Sequence, residues 1–439
     1  MAGLCPAQEN ASGQDSPRFA DHFWVSGQIN LIMQGHPAFR SLYSGPQSFA
    51  APGEVQTSRV LTLYTGVSLS PVTDFVFHLE ETNGRNLSGS HGLASFPNVD
   101  LAGVPDARPY VARAIVHHSF RLGGAETDAG QGPLQMAAKV AEKRFDMYAG
   151  KMSLLDFFDV NAIGSDSHYQ FMNWTLDNNA AYGYPADSRG YTFAVVGEYH
   201  NGNWTARVGE ALTPKTSDTS RLDVNLARAR SESAELEFHH TLIPHRAGVL
   251  RLLGFADHGS FASYRAAIEG AKAGQTQFPD VSSFRVPGRV KYGFGVNAEQ
   301  ELSPTLRAFA RFGWTEGHME SLAFTEADAT VSGGLDLRGN RWRRKDDKLG
   351  VALVSNALSG DHREYLRLGG TGLVLGDGGL NYRREEVLEA YYTAKIRRGV
   401  FASFDLQRIW NPGYNQDRGP ALVAAFRLHL EGGILTNPH

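Results

Sequence analysis

The chain has 439 residues, of which 20% are charged, and a formal net charge of −4. It carries no basic block and no basic amphipathic helix, which argues against a nucleic-acid partner. No run of about 18 apolar residues exists, so a transmembrane helix is excluded, but a membrane-crossing strand is not. Such a strand needs only about 9–11 residues and is polar at every second position, so the mean hydropathy of −0.31 decides nothing.

Glycine is abundant, 48 residues against an expectation of roughly 7%, and aromatics make up 11%. That combination suits a sheet protein with many turns. The single cysteine, Cys5, excludes both a disulfide framework and a cysteine-based metal site. Residues 1–22 read as an N-terminal tail. Their opening, MAGLCPAQENASGQ, has a small-apolar run ending at Pro6-Ala7-Gln8, as the remnant of a signal peptide would, or else is a disordered tail.

From residue 23 onward, short segments of alternating polarity recur between turn residues. They are 23–34, 58–70, 73–82, 108–122, 143–152, 189–200, 203–213, 234–243, 247–258, 289–302, 305–317, 328–338, 346–357, 384–397, 400–410 and 421–431. The count is sixteen, and the connections alternate in length. Tight ones are SPVT, HNGN, IPHRAG, LSPT and RRGV; long ones are 83–107, 153–188, 214–233, 259–288 and 358–383. A soluble sandwich has no reason to sort its loops this way, whereas an outer-membrane barrel has short periplasmic turns and long extracellular loops. The stretch 123–142 is a long connection at the nominally short end.

Side-chain parity predicts which face meets lipid. In 306–314 Leu306, Ala308, Ala310, Phe312 and Trp314 share one face, and Arg307 and Arg311 the other. In 421–431 Leu422, Ala424, Phe426, Leu428 and Leu430 oppose Arg427, His429 and Glu431. Charges at alternate positions, strand after strand, call for water on that side. The fold class is therefore all-β: a single 16-stranded antiparallel transmembrane β-barrel over 23–431, closed so that no backbone edge is left unpaired. A barrel of that size encloses an aqueous lumen. Trp24, Trp204 and Trp410, at strand ends, are expected in the interfacial aromatic girdles.

Several longer stretches carry a resemblance. DFFDVN (156–161), QFMNW (170–174), YPADSRGYT (184–192), GRVKYGFGVNAEQELS (288–303), FARFGWTEG (309–317), EAYY (389–392) and NPGYNQDRGP (411–420) resemble the carbohydrate-selective porin family, OprB. FPNVD near 96, DHREYLRLGGTG near 361 and the closing FRLHLE add to it. The resemblance implies a sugar-passing porin in the outer membrane of a Gram-negative bacterium. Family members tend to end the last strand on an aromatic residue; here Glu431 is followed by a tail, 432–439.

The long connection 153–188 is expected to fold inward as a constriction loop, by analogy with large porins. It holds Asp156, Asp159, Asn161, Asn173, Trp174, Asp187 and, just beyond, Arg189. Amides and carboxylates can accept sugar hydroxyls, and Trp174 offers a flat apolar face. The opposing reading is an internal scaffold that holds the loop shut. Glu80, Arg113, Lys291, Arg307, Arg311, Glu389, Asp405 and Arg427 are expected on the lumen wall, mostly solvated, with one or two orienting substrate. Replacing Arg311 or Arg427 by Ala is then expected to leave stability nearly intact.

No catalytic residue, metal or cofactor is expected. Asp156 and Asp159 could be a glycosidase pair, but two aspartates in a polar loop are usually structural. His117-His118 and His239-His240 are adjacent on strands and point to opposite faces, so neither pair chelates one ion. Expected partners are small carbohydrates, outer-membrane lipid and lipopolysaccharide, with the chain a monomer or homotrimer. Two functions fit: passive, sugar-preferring diffusion, or a plugged barrel that binds saccharide at the surface.

Overall fold

The computed structural model describes residues 22–101, 106–128, 132–136, 139–217 and 219–433, and the signal-like opening lies outside them. Sixteen strands close into one antiparallel barrel. They are β1 (Phe23–His36), β2 (Glu54–Ser70), β3 (Thr73–Gly84), β4 (Asp106–Asp128), β5 (Lys139–Met152), β6 (Thr192–Asn201), β7 (Trp204–Ala211) and β8 (Arg230–His240). The second half is β9 (Gly248–Phe261), β10 (Val286–Glu301), β11 (Leu306–Thr315), β12 (Ala329–Arg338), β13 (Lys348–Ala357), β14 (Glu385–Arg397), β15 (Val400–Trp410) and β16 (Ala421–Gly433).

Each strand pairs with its sequence neighbours, and β1 closes the ring on β16 from Ser26↔Gly433 to Gly35↔Ala424. Closure removes every sheet edge, which a lipid environment requires because nothing there can satisfy a bare N–H or C=O. Pairing carries β16 through Gly433, two residues past the expected end, so Gly432 and Gly433 belong to the wall. Gly202 and Gly399 make the tight turns β6–β7 and β14–β15 possible, at φ of 62° and 67°.

The parity reading holds along the wall. Phe312 and Phe426 are 42% and 46% exposed on the outer face, while Arg311 and Arg427 are 2% and 0% exposed inside. One expectation about the girdles fails. Trp24 shares the inward parity of Asn30 and Gln34, is buried, and meets Tyr64 with ring centroids 6.0 Å apart, so it belongs to the lumen and not to a girdle. Trp204 and Trp410 do lie on the outward parity of their strands, as expected.

Half of the expected connection 123–142 is strand, at 123–128 and 139–142. β4 and β5 stay paired out to Asp128↔Lys139, with register breaks around Gly123. Residues 121–127 are exposed on both faces, so the hairpin stands beyond the wall in water and alternation is lost. The chain then turns back: Met136 is buried and its N–H donates to Asp74 Oδ2 at 3.2 Å inside the barrel.

At the opposite end, the long loops meet over the lumen. Two carry helices of at least two turns, α2 (Tyr264–Lys272) and α3 (Gly360–Arg367), each capped by a serine: Ser263 accepts from the N–H of Ala266, and Ser359 from that of His362. Phe96, Tyr182, Tyr184, Phe324, Tyr264, Tyr365 and Tyr414 form one buried cluster among these loops. Burying aromatic side chains supplies the loops with a core of their own.

Candidate functional site

The chain leaves β5 at Met152 and folds inward at once. Ser153 and Asp156 form a reciprocal capping box on a single helical turn, which fixes the direction of the Asp156 side chain. Arg113 on β4 meets it with two parallel hydrogen bonds, Nε to Oδ2 at 2.7 Å and Nη2 to Oδ1 at 2.6 Å. This planar fork holds the root of the loop against the β4 wall.

From there the loop crosses the lumen and is tied down on the far wall. Arg311 on β11 donates from Nη1 to the Leu176 carbonyl at 2.7 Å and from Nη2 to the Asp159 carbonyl at 3.2 Å. Asn297 on β10 donates from Nδ2 to Asp159 O and Oδ1, both at 3.0 Å, and accepts from Asn161 Nδ2 at 2.7 Å. Glu235 on β8 accepts the Asp159 N–H at 2.9 Å, and Glu299 that of Ala162 at 3.1 Å.

The next turn is held by β14 to β16. Glu389 accepts the N–H of Met172 and, at 3.1 Å, that of Asn173. Asn173 donates from Nδ2 to Gln407 at 3.0 Å, and its Oδ1 caps α1 (Trp174–Asp177) by accepting the Thr175 N–H at 3.1 Å. Gln407 donates to Asp405 at 3.1 Å and to the Pro97 carbonyl at 2.9 Å. Arg427 donates to the carbonyls of Ser167 and, at 3.0 Å, Gln170.

Open space lies between the loop and the wall of β1 to β4. A cavity of about 220 Å³ is lined there by Gln28, Glu80, Asp100, Arg113, His168 and Arg189 among polar groups, and by Tyr64, Tyr110, Tyr184 and Tyr191. Glu80 accepts from Tyr191 Oη at 3.2 Å and from Tyr110 Oη. Arg189 lies 4.1 Å over the Tyr110 ring and Arg113 lies 5.4 Å over that of Tyr191. His168, in the loop, is opposed by burial, but Asp100 and Asp166 outweigh it and push its pKa up to about 9. At neutral pH the cavity thus presents an imidazolium and two guanidiniums against carboxylates and phenols.

The model of the carbohydrate-selective porin family OprB matches residues 20–431 of this sequence. The chain belongs to the OprB family. As an OprB-family porin it has the expected barrel: the high-pH structure of Pseudomonas putida OprB superposes with a TM-score of 0.71 at 15% identity, covering 94% of each chain. The outer-membrane channel DcaP of Acinetobacter baumannii gives a TM-score of 0.52 at 9% identity, covering 93% of this chain and 97% of that one. At these identities the likeness concerns the fold. No curated protein sequence matches this porin.

The porin divides the residues singled out from sequence into two groups. Glu80, Arg113, Trp174 and Arg189 line the cavity, with Asp156 fixed on Arg113. Asp187 sits just behind, accepting the N–H of Arg189 at 2.9 Å and that of Tyr191 at 3.1 Å. Asp159, Asn161, Asn173, Arg307, Arg311, Glu389, Asp405 and Arg427 lie away from it and hold loop or wall. Arg307 forks onto Asp336 of β12, Nε to Oδ1 at 2.9 Å, and Lys291 reaches Ser321 Oγ at 3.4 Å.

Two expectations are corrected by this. Lumen charges such as Arg311, Glu389 and Arg427 are not solvated wall: they are almost fully buried because loop backbone, not water, lies against them. Trp174 does not present a free face, since its ring stacks on Phe324 at 5.0 Å and Tyr184 at 6.3 Å and meets Phe96 edge-on at 5.7 Å. Asp156 and Asp159 do not face one another as an acid–base pair; each is claimed by a different arginine on a different wall.

Sequence reasoning missed Tyr110, Tyr191, Asp100 and His168. Asp100 was within reach, because FPNVD stood out as a motif, and its loop docks on the constriction loop through Val99 N–H to Met172 O at 2.9 Å.

Proposed function

We propose that this porin lets small sugars diffuse passively through the cavity between the 153–191 loop and the wall of β1 to β4, across the outer membrane of a Gram-negative bacterium. The observation that carries the reading is the lining itself: tyrosine rings beside Glu80, Asp100, Arg113 and Arg189. A sugar ring has an apolar face suited to an aromatic, and an edge of hydroxyls that both donate and accept. Fixed carboxylates and guanidiniums replace the water those hydroxyls lose on entry. Flux requires that such contacts be few, so that the sugar is released as readily as it is taken up. Lipid and lipopolysaccharide would surround the outer face.

The aromatic cluster over the lumen favours a second reading, in which the barrel is plugged and binds saccharide at its loop end. A liposome-swelling series from monosaccharides to longer oligosaccharides, beside amino acids of matched size, separates the two. Faster uptake of the small sugars supports diffusion; no swelling with any solute supports the plug.

A further inference from the structure

Below the constriction, toward the end with the short turns, the inner face of β4 to β6 carries a group of side chains that the sugar path does not use. Asp146 on β5 stands directly opposite Glu198 on β6, and His200 lies one inward position further along. His200 Nε2 is 3.3 Å from Asp146 Oδ2 and 3.6 Å from Glu198 Oε2. One donor atom from each of Asp146, Glu198 and His200 lies within 4.8 Å of the other two. From β4, His117 brings its Nε2 to 3.6 Å from Asp146 Oδ1.

Three of these atoms, His117 Nε2, Asp146 Oδ1 and His200 Nε2, are buried and, among the described residues, meet the imidazoles and carboxylates of this group at 3.3–3.6 Å and without hydrogen-bond geometry. His117 and Asp146 are themselves only 3% and 2% exposed. Buried polar atoms without good hydrogen bonds are costly, and two of these three belong to the Asp146–Glu198–His200 group whose donor atoms lie together. Both imidazoles are oriented from behind: His117 Nδ1 faces Asp74 Oδ2 at 3.4 Å and His200 Nδ1 faces Thr205 Oγ1 at 3.0 Å. Asp74 is in turn fixed by the Met136 N–H. An outer partner on Nδ1 that leaves Nε2 free is the arrangement by which proteins aim metal-binding histidines.

We propose that Asp146, Glu198 and His200, with His117 beside Asp146, form a binding site for a divalent transition metal of the zinc class. Imidazole and carboxylate donors without thiolate suit such an ion. Bonds of about 2.0–2.2 Å in tetrahedral geometry put donor atoms on the order of 3.3–3.5 Å apart, and the oxygens that the arginines leave, Asp146 Oδ1 and Glu198 Oε2, each lie 3.6 Å from an imidazole Nε2. Two cations flank the site. Arg144 Nε takes Asp146 Oδ2 at 2.6 Å, and Arg207 Nε takes the Oε1 of Glu198. Each occupies one oxygen and leaves Asp146 Oδ1 and Glu198 Oε2 for the ion. Arg207 is also shared with Glu235 and Glu237, at 2.9 Å each, so carboxylates outweigh guanidiniums around the site. Bound metal would clamp three adjacent strands.

The test is calorimetric titration of the purified, chelator-washed barrel in detergent with ZnCl2, near neutral pH. One zinc per chain is expected, with X-ray absorption showing nitrogen and oxygen but no sulfur donors. His200→Ala and Asp146→Asn should weaken binding by more than the outer-partner change Thr205→Val, which should cost about 10–100-fold. The variant His318→Ala, whose imidazole pairs with Asp361 in the loops at the other end, should bind as the parent does. Heat-dependent migration on SDS gels certifies that each variant is a closed barrel; if His200→Ala does not fold, His117→Gln and Thr205→Val carry the test. A folded parent that takes up no stoichiometric zinc overturns the proposal. So does zinc binding that these cluster variants leave unchanged.

Discussion

Arg311 on β11 sets its Nε 3.2 Å from Oδ2 of Asp159, at the point where the constriction loop reaches the far wall. Asp159 has a left-handed backbone, φ 58°, which costs an L-residue energy and persists only where its surroundings impose it. Here the imposition comes from Arg311, Asn297 and Glu235 together, all on Asp159. The loop's position is therefore written into the barrel wall.

Arg311→Ala should accordingly destabilise the barrel, against the expectation from parity alone. Removing one partner of a buried ion pair costs about 3–5 kcal/mol, because the other is left uncompensated. Urea unfolding in lipid vesicles measures the loss, and ion conductance should rise as the loop comes free. Lys at 311 should not rescue it, since a single ammonium cannot serve Asp159 and the Leu176 carbonyl as a fork does.

The outer face gives the contrasting result. Phe312→Arg or Phe426→Arg should cost about 2–4 kcal/mol if the position is near the bilayer midplane, and should leave conductance unaltered in the barrels that insert. The same urea titration reads both classes of variant, and a conductance change at Phe312 would mean that its face had been misassigned.

A close approach of loop to wall is tested at Gly313. A Cβ there would come within 1.9 Å of Asn179 Oδ1, and one at Gly295 within 2.5 Å of its Nδ2. Gly313→Val should push the loop off the wall and raise ion conductance. Gly254→Val is the control, because a Cβ at Gly254 meets open space on the outward parity of β9. Equal effects at the two glycines would show that the packing of Asn179 does not set the constriction.

The loop cover should depend on pH through His362 in α3. Burial opposes its charge, but Asp328 at 3.1 Å and Glu326 at 3.5 Å outweigh that and push its pKa up to about 9. Its folded value lies above the unfolded value of about 6.5, so its contribution is full below about 6.5 and is lost as pH rises through about 9. Proteolysis of the 358–384 loop in inserted barrels should therefore quicken over that window. His362→Gln should flatten the dependence.

The barrel was legible because lipid on one side of every strand imposes period two, and because turns at one end and loops at the other sort by length. Where water lies on both sides, as at 121–127, the period vanishes, and sequence alone predicts a loop where the β4–β5 hairpin stands. Parity also cannot tell water from a returning segment. Arg311, Glu389 and Arg427 were placed on the correct face, but their partners lie 135 to 260 residues away in sequence. Trp174 shows the same limit, since a sequence reveals an aromatic but not the Phe324 and Tyr184 rings that cover it. Adjacency to His118 hides the setting of His117, whose partners stand across the sheet on β3 and β5.

The most direct test is single-channel recording with monosaccharide added, comparing the parent barrel with Glu80→Ala and Arg189→Ala. If sugar passes along the Glu80–Arg189 side of the loop, the parent conducts ions and sugar reduces that current in a saturable way. Both variants should then weaken the block more than they change the open conductance. A parent barrel that carries no ion current, or a sugar block that both variants leave intact, would contradict a sugar path through this cavity.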